Sequence, residues 1–549
     1  MGRKYSEWVA RSNVYPKDYV SLVSIVQNNR DFQAIDQLDY GDHGLKETME
    51  IISNAIRGGK RIALYADYDV DGTMSAVSWI WFFRAIGFDN FLHYIPCRFK
   101  EGYGVNLEAV KYLIEQEKAD LIITMDTGIT ANGEAAYCKE RGVDFICTDH
   151  HKVQIDKMPD CTILNPKLHP DEKYQELCGC GITFVLLRKL AEEFPIEGSV
   201  WTDILALTGM ATICDVVPLN GVNHKLAKLG VEALMKSQRD VLVKLRTATA
   251  MIDKGDEKDI GFRVGPRINA VGRLEHADSI IEAFIGDNPD PLIQHMETCN
   301  DRRKQIQQKI VAEAEMLAEK YPDDPILFLG GDWHPGVVGI AASKIAEKYW
   351  KPTWLFNSTE AVCKGSARSM IGMDVTDAMS SCNDLFMKFG GHKAAGGYSF
   401  ASENIDQIRT SLNTYATSIK TNSPELWVSK ADYDCELPMD LIELDLADSL
   451  QDLKPFGHAF EEPVFMVEGR VQKVDFYNDK VTGAPRHSAV FIEKQNNQKQ
   501  KIMFFNDVLD ELENGFSAKF LVTASRNKFR GVYSLDLYGV DVDLGSSRG

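Results

Sequence analysis

The chain has 549 residues, 44% of them hydrophobic, enough for three or four packed domains. No apolar run approaches a membrane span, and the opening MGRKYSEWVARSNVYPKDY lacks an apolar signal core, which predicts a cytoplasmic protein with no membrane association. A net charge of −19 argues against a general nucleic-acid coat but not against an enzyme with a local basic channel, and eleven irregularly spaced cysteines predict free thiols, not a disulfide framework.

Residues 1–44 read as an irregular lead-in with short helices. From about 45, strands alternate with helices, the pattern of a doubly wound parallel sheet. The runs Arg61–Ala66, Leu121–Met125 and Val143–Thr148 are mostly apolar and read as buried parallel strands. A helix is predicted over Thr73–Ile86, stopped by Gly87. Another starts at Asn106 as N-cap, and a third spans about 132–142. Residues 290–320 carry the longest helical pattern, a connector between two lobes. A second α/β unit follows to about 420, with Trp333 and His334 read as structural. Segment 421–430 is polar and reads as a linker. From 465 onward, five short strands with one intervening helical stretch suggest a small barrel of the OB type. Its cations Lys473, Lys480, Arg486, Arg526, Lys528 and Arg530 interleave with Phe476, Tyr477 and Phe529, a composition suited to single strands or to a solvated β face.

Each of the first three apolar runs ends in acid: Asp67, Asp69 and Asp71 after the first, Asp126 after the second, Asp149-His150-His151 after the third. In open α/β sheets functional groups gather outside the carboxyl ends of strands, so the three clusters predict one metal site. On an extended segment, Asp67, Asp69 and Asp71 would share a face, and three like charges so close demand cations between them. Asp215, after another apolar run, is a further candidate. The DxDxD run alone could equally be a calcium loop or a solvated turn. Mixed carboxylate and imidazole donors suit manganese or magnesium, and two such ions about 3.5–4 Å apart can stabilise both oxygens of a phosphoryl displacement.

These residues resemble the DHH phosphoesterase superfamily, and within it the single-strand-specific 5′→3′ exonucleases. The resemblance runs from about residue 45 to the C-terminus through ALYADYDVDGT, YIPCRFKEGYGVN, ITMDTGI, TDHH, CDVVPL, GPRINAVGR, GSARS and KFGGHKAAGG. It implies a DHH catalytic domain over 45–289, the connector helix over 290–320, and a DHH-associated substrate-binding domain over 321–420. An OB-fold over 421–549 completes the architecture. It further implies Asp67, Asp69, Asp126, His150 and Asp215 as ligands of two Mn²⁺ or Mg²⁺ ions, with Asp126 bridging. Asp71, Asp149 and His151 would complete or orient the shells, and His151 could contact the scissile phosphate. Many superfamily members carry a ligating His four residues before the first Asp; here that position is Ala63, with Asp71 or a water as the substitute.

For substrate, the resemblance implies Arg98, Arg267, Arg273 and Arg368 as phosphate readers, Tyr103 as a stacking or gating group, and a 5′-phosphate pocket from Ser366, Arg368, Gly390, Gly391 and His392. The expected activity is hydrolysis of single-stranded DNA to 5′-mononucleotides in recombination and repair, by a monomer. Single-strand-binding protein or a RecQ-type helicase are candidate partners. The alternatives are a phosphodiesterase of short oligoribonucleotides or cyclic dinucleotides, and a non-catalytic replication scaffold.

Overall fold

The three acid-terminated runs form neighbouring strands of one parallel sheet in the computed structural model, which describes residues 4–32, 44–169, 174–252, 254–479, 482–494 and 498–544. Lys480 lies outside the described residues. The strand order is Phe91–Tyr94, Ile62–Ala66, Leu121–Met125, Asp144–Thr148, Thr162–Leu164, all parallel. Ile62, Leu64 and Ala66 enter one core with Leu121, Ile123 and Met125. Ala63 and Tyr65 enter a second core on the opposite face with Ile122, Phe145 and Cys147. Burial on both faces explains why these strands read as mostly apolar runs.

The helix after the first strand spans Val70–Ala85, and every residue from Val70 to Phe83 is buried. Helices Gly179–Leu190, Gly198–Cys214 and Asp278–Ile285 cover it. Full burial accounts for its lack of a polar stripe. Trp79, Phe82 and Phe83 are inaccessible to solvent, each stabilising by about 1.5–3 kcal/mol on transfer alone. The helix begins three residues before the expected Thr73, because Asp69 is its N-cap and accepts from the backbone N–H of Asp71 and Gly72. Asn106 caps Leu107–Glu115 as its sequence position predicts.

The chain divides into two compact units, one of Gln27–Asn300 with Gln451–Glu462, the other of Met1–Val26, Asp301–Leu450 and Pro463–Gly549. The 29-residue helix Asp290–Ala318 contributes to both.

In the second unit a five-stranded sheet runs Lys388–His392, Ala395–Ala401, Val362–Arg368, Thr353–Asn357, Leu327–Gly331. Trp354, Phe356 and Phe400 fill its core beneath Ile408 and Leu412 of the helix Ile405–Asn422. Trp333 is buried, its indole donating to Glu313 at 2.8 Å. The first residues are not merely irregular: Glu7–Ala10 pairs in parallel with Lys430–Tyr433. Nor is 421–430 a plain linker. Trp427 donates to the Pro325 carbonyl at 2.9 Å, and Lys430 already belongs to that pair of strands. Trp8 and Trp427 are too apolar to leave in water, and this packing half-buries both.

The C-terminal strands Phe465–Asn478, Pro485–Glu493, Lys499–Phe504, Val532–Asp543 and Ser517–Phe529 close into a barrel, because Phe465–Arg470 pairs back onto Ser517–Val522. The expected helical stretch between strands is not found among the described residues; the nearest helix, Leu444–Gln451, precedes the barrel. Phe476, Tyr477, Phe529 and Tyr533 are exposed, and Arg526 lies 3.8 Å above the Tyr533 ring. Lys473, Arg486 and Arg526 are each ion-paired, to Asp475, Asp479 and Asp448. No described helix is long and apolar enough to cross a membrane.

Candidate metal centre

Sheet register places the acids. Ala66 pairs with Met125, and Met125 with Thr148, so Asp67, Asp126 and Asp149 each follow one level row of three strands. Their backbone N–H groups carry the ladder one step further, to the carbonyls of Met125, Thr148 and Leu164. Asp126 is held at φ 60, a conformation rare outside glycine and common where a functional residue must be aimed.

Carboxylate oxygens of Asp67, Asp69 and Asp126 converge within 4.8 Å, as do ligand atoms of Asp71, His150 and Asp215, and of Asp126, His150 and His151. His150 Nε2 lies 3.1 Å from Asp126 Oδ1, 3.5 Å from Asp215 Oδ2 and 3.8 Å from Asp71 Oδ2. The three aspartates do not share an extended face as the alternation predicts. Only Asp67 directly follows the strand; Asp69 caps the helix and Asp71 sits in its first turn, and the strand-to-helix turn brings them together.

Burial, then like charge from neighbouring carboxylates, pushes Asp67, Asp126 and Asp215 well above the usual carboxylate range. Asp67 Oδ1 and Asp126 Oδ1 are buried and accept no hydrogen bond among the described residues. Buried, unsatisfied acceptors in a cluster of like charges fit divalent cations, and oxygen donors with one or two imidazoles suit manganese or magnesium.

Asp71 and Asp149 are engaged differently. Asp71 accepts from the backbone N–H of Gly179 and Cys180 at 2.6 and 2.7 Å, at the start of the helix Gly179–Leu190. A Cβ on Gly179 would stand 2.7 Å from that of Asp126, so this position must lack a side chain. These two amides escaped the sequence reading; the Cys-Gly-Cys-Gly run opening a helix was their only signal. Asp149 accepts from Ile129 N, His150 N, His151 N and His151 Nδ1. Burial would raise its pKa, but the hydrogen bonds led by His151 hold it below the ordinary value. In return, against the lowering effect of burial, Asp149 raises His151 above 6.5. The Tyr103 hydroxyl lies 3.0 Å from His151 Nε2, with the Tyr103 side chain itself about half exposed.

Arg98 lies 5.0 Å above the ring of Tyr68, the residue between Asp67 and Asp69 in sequence. Its charge opposes the rise at Asp67. Arg273 exerts the same sign of effect on Tyr68. Arg267, expected as a phosphate reader, is engaged by a carboxylate. Its guanidinium is bidentate to Glu297, at 2.5 and 3.1 Å, because the helix Asp290–Ala318 brings that carboxylate alongside. Asn269, absent from the sequence reading, accepts from Val70 N and ties down the Asp67–Asp71 turn.

In the other unit, register assembles a second group. Arg368 pairs with Ala395 and Ala395 with His392; Ser366 pairs with Gly397 and Gly397 with Gly390. Alternate residues share a sheet face, so Ser366, Arg368, Gly390 and His392 form one surface. Gly391 points away from it, at φ 148. A Cβ on Gly339, in the first turn of the helix Val338–Tyr349, would meet Arg368 Nη2 and Ser366 Oγ at 3.1 Å each. A hydroxyl, a guanidinium and a helix N-terminus thus adjoin one point, a suitable cradle for a phosphate.

Three family profiles match in the order the fold predicts: the DHH family N-terminal domain over residues 61–212, the DHHA1 domain over 323–418, and the RecJ OB domain over 433–541. The single-stranded-DNA-specific exonuclease RecJ of Salmonella typhimurium is 31% identical over 91% of this chain and 90% of its own length. The chain belongs to the RecJ family. RecJ of Escherichia coli is 31% identical over 77% of each chain. RecJ of Bacillus subtilis is 34% identical, and this chain spans 54% of its length. Among solved structures, Thermus thermophilus RecJ in complex with Mn²⁺ shares the fold with a TM-score of 0.83, at 24% identity over 98% of this chain and 79% of that one. A second RecJ structure, bound to manganese, is 31% identical over 70% of this chain and 96% of its own, with a TM-score of 0.61.

Proposed function

We infer that the chain is a metal-dependent 5′→3′ exodeoxyribonuclease that hydrolyses single-stranded DNA to 5′-mononucleotides, in recombination and repair. Its relatives are named as single-stranded-DNA-specific exonucleases. The observation that carries the reading is the convergence of Asp67, Asp69, Asp126, His150 and Asp215 at the level ends of adjacent strands, in a member of the RecJ family.

In this reading those five residues hold two divalent cations, Mn²⁺ or Mg²⁺. When bound, the ions supply Lewis-acid polarisation of the phosphodiester and an activated water nucleophile. Asp71, fixed by the Gly179 and Cys180 amides and 3.8 Å from His150 Nε2, completes the shell beside His150 and Asp215. Asp149 holds the Nδ1 proton of His151 and favours its cationic form, which stabilises negative charge on the reacting phosphate. Tyr103 donates to Nε2 when the ring is neutral and fixes its orientation. Arg98 and Arg273 add cationic charge beside the centre. Ser366, Arg368 and His392 read the 5′-terminal phosphate and thereby impose polarity. The barrel aromatics offer stacking surfaces to the downstream strand.

Competition tests the substrate class. With Mn²⁺, long single-stranded DNA should be degraded in preference to blunt duplex, and a cyclic dinucleotide in excess should not compete. Equal digestion of blunt duplex, or strong competition by the dinucleotide, would overturn the reading.

A further inference from the structure

We propose a second metal site in this chain, specific for a thiophilic divalent cation such as zinc and formed by Glu275, His295 and Cys299. Among the described residues, it is one further group of metal-ligand type that shares no residue with the carboxylate centre. One oxygen, one nitrogen and one sulfur atom lie within 4.8 Å of one another. The sulfur changes the chemistry: thiolate and imidazole select zinc or another borderline ion, whereas the oxygen-rich centre suits manganese or magnesium.

Two elements build the site. His295 and Cys299 are four residues apart on the helix Asp290–Ala318, so their side chains stack on one face. Glu275 follows the last residue of the helix Gly265–Leu274. Cys299 Sγ lies 3.5 Å from His295 Nε2. Tetrahedral zinc with bonds of about 2.3 Å to sulfur and 2.05 Å to nitrogen sets these two atoms about 3.6 Å apart. His295 Nε2 lies 2.9 Å from Glu275 Oε2, a hydrogen bond that must open by about 0.5 Å to reach the corresponding tetrahedral edge. Glu275 is exposed, and rotation of its side chain supplies that movement. The sulfur is buried and the other two donors reach solvent, which leaves an entry path. On binding, a sulfur–metal bond forms, the thiol proton passes to bulk water, and no electron is transferred.

The consequence is mechanical. The helix Gly265–Leu274 carries Arg267, Asn269 and Arg273, and Asn269 holds the Asp67–Asp71 turn. Arg267 already bridges this helix to Glu297. A cation at Glu275, His295 and Cys299 would clamp the same two helices at a second point.

Cobalt reports thiolate ligation directly, because the oxygen and imidazole donors of the carboxylate centre give no thiolate-to-metal charge-transfer band. The full chain, loaded with Mn²⁺, is titrated with Co²⁺ and then with Zn²⁺. One band per chain is expected, displaced by Zn²⁺, abolished in Cys299→Ser and weakened at least about tenfold in affinity in His295→Gln, with nuclease activity in Mn²⁺ retained in the latter. No band in the parent chain, or a band that survives both substitutions, would overturn the proposal.

Discussion

Asp149 Oδ1 lies 2.7 Å from His151 Nδ1 and accepts the backbone N–H of the same residue at 3.0 Å, so one carboxylate fixes both the ring and the chain of its neighbour. The other oxygen accepts from Ile129 N at 2.9 Å. Asp149 is therefore a buried support for His151, and in the proposed function the metal-facing roles belong to the residues around it.

Asp149→Asn should lower kcat by about 10²- to 10⁴-fold, because the amide no longer holds the His151 proton. Asp149 raises the His151 pKa, so its loss should move the His151-dependent limb of the pH–rate profile to lower pH. Steady-state kinetics across pH checks both. An unmoved limb would place His151 outside the reacting charge.

Asp126→Asn should abolish activity yet raise the thermal midpoint of the metal-free protein, by about 2–4 °C. Burial and like charge raise Asp126 in the folded state, so its ionised form opposes folding at neutral pH. The sign follows: a carboxyl with a raised folded pKa favours folding at low pH and loses that contribution as pH rises through the folded value. Calorimetry with chelator, and then with Mn²⁺, checks this. The variant should gain less from Mn²⁺ than the parent chain does.

His224 should make the fold acid-sensitive. It is buried against Phe32 and Phe460, with Nε2 2.9 Å from the Leu453 carbonyl, and burial lowers its pKa below 6.5. A depressed folded value means that stability is fully present above 6.5 and is lost as pH falls through the folded pKa. His224→Gln should flatten this part of the dependence. Urea midpoints at about pH 7.5 and about pH 5.5, compared between the two proteins, provide the measurement.

Ser366→Ala with Arg368→Ala should erase discrimination between 5′-phosphorylated and 5′-hydroxyl ends. Losing a charge-assisted pair to phosphate costs about 1.5–3 kcal/mol, or roughly 10- to 100-fold in kcat/KM on the phosphorylated substrate alone. An equal loss on both substrates would indicate disruption of the strand Val362–Arg368 instead.

Much of the centre was legible because its signals are local. Three mostly apolar runs announce strands buried on both faces, and an acid after each run marks a strand end. What escaped depended on contacts distant in sequence. Asp69 and Asp71 left the extended face because capping the helix Val70–Ala85 satisfies backbone donors that a strand would have paired elsewhere. The Gly179 and Cys180 amides carry no side-chain signature. The pairing of Arg267 with Glu297, thirty residues on, likewise had no local signal. The strand Glu7–Ala10 is too short to stand out, and its partner lies more than four hundred residues away.

The most direct test of the central claim is the first product released from single-stranded DNA labelled at its 5′ phosphate. With Mn²⁺, the label should leave at once as a 5′-mononucleotide, EDTA should stop the release, and Asp67→Ala should release none. Label appearing first in long fragments, or mononucleotides lost from the 3′ end while the 5′ label persists, would contradict the account.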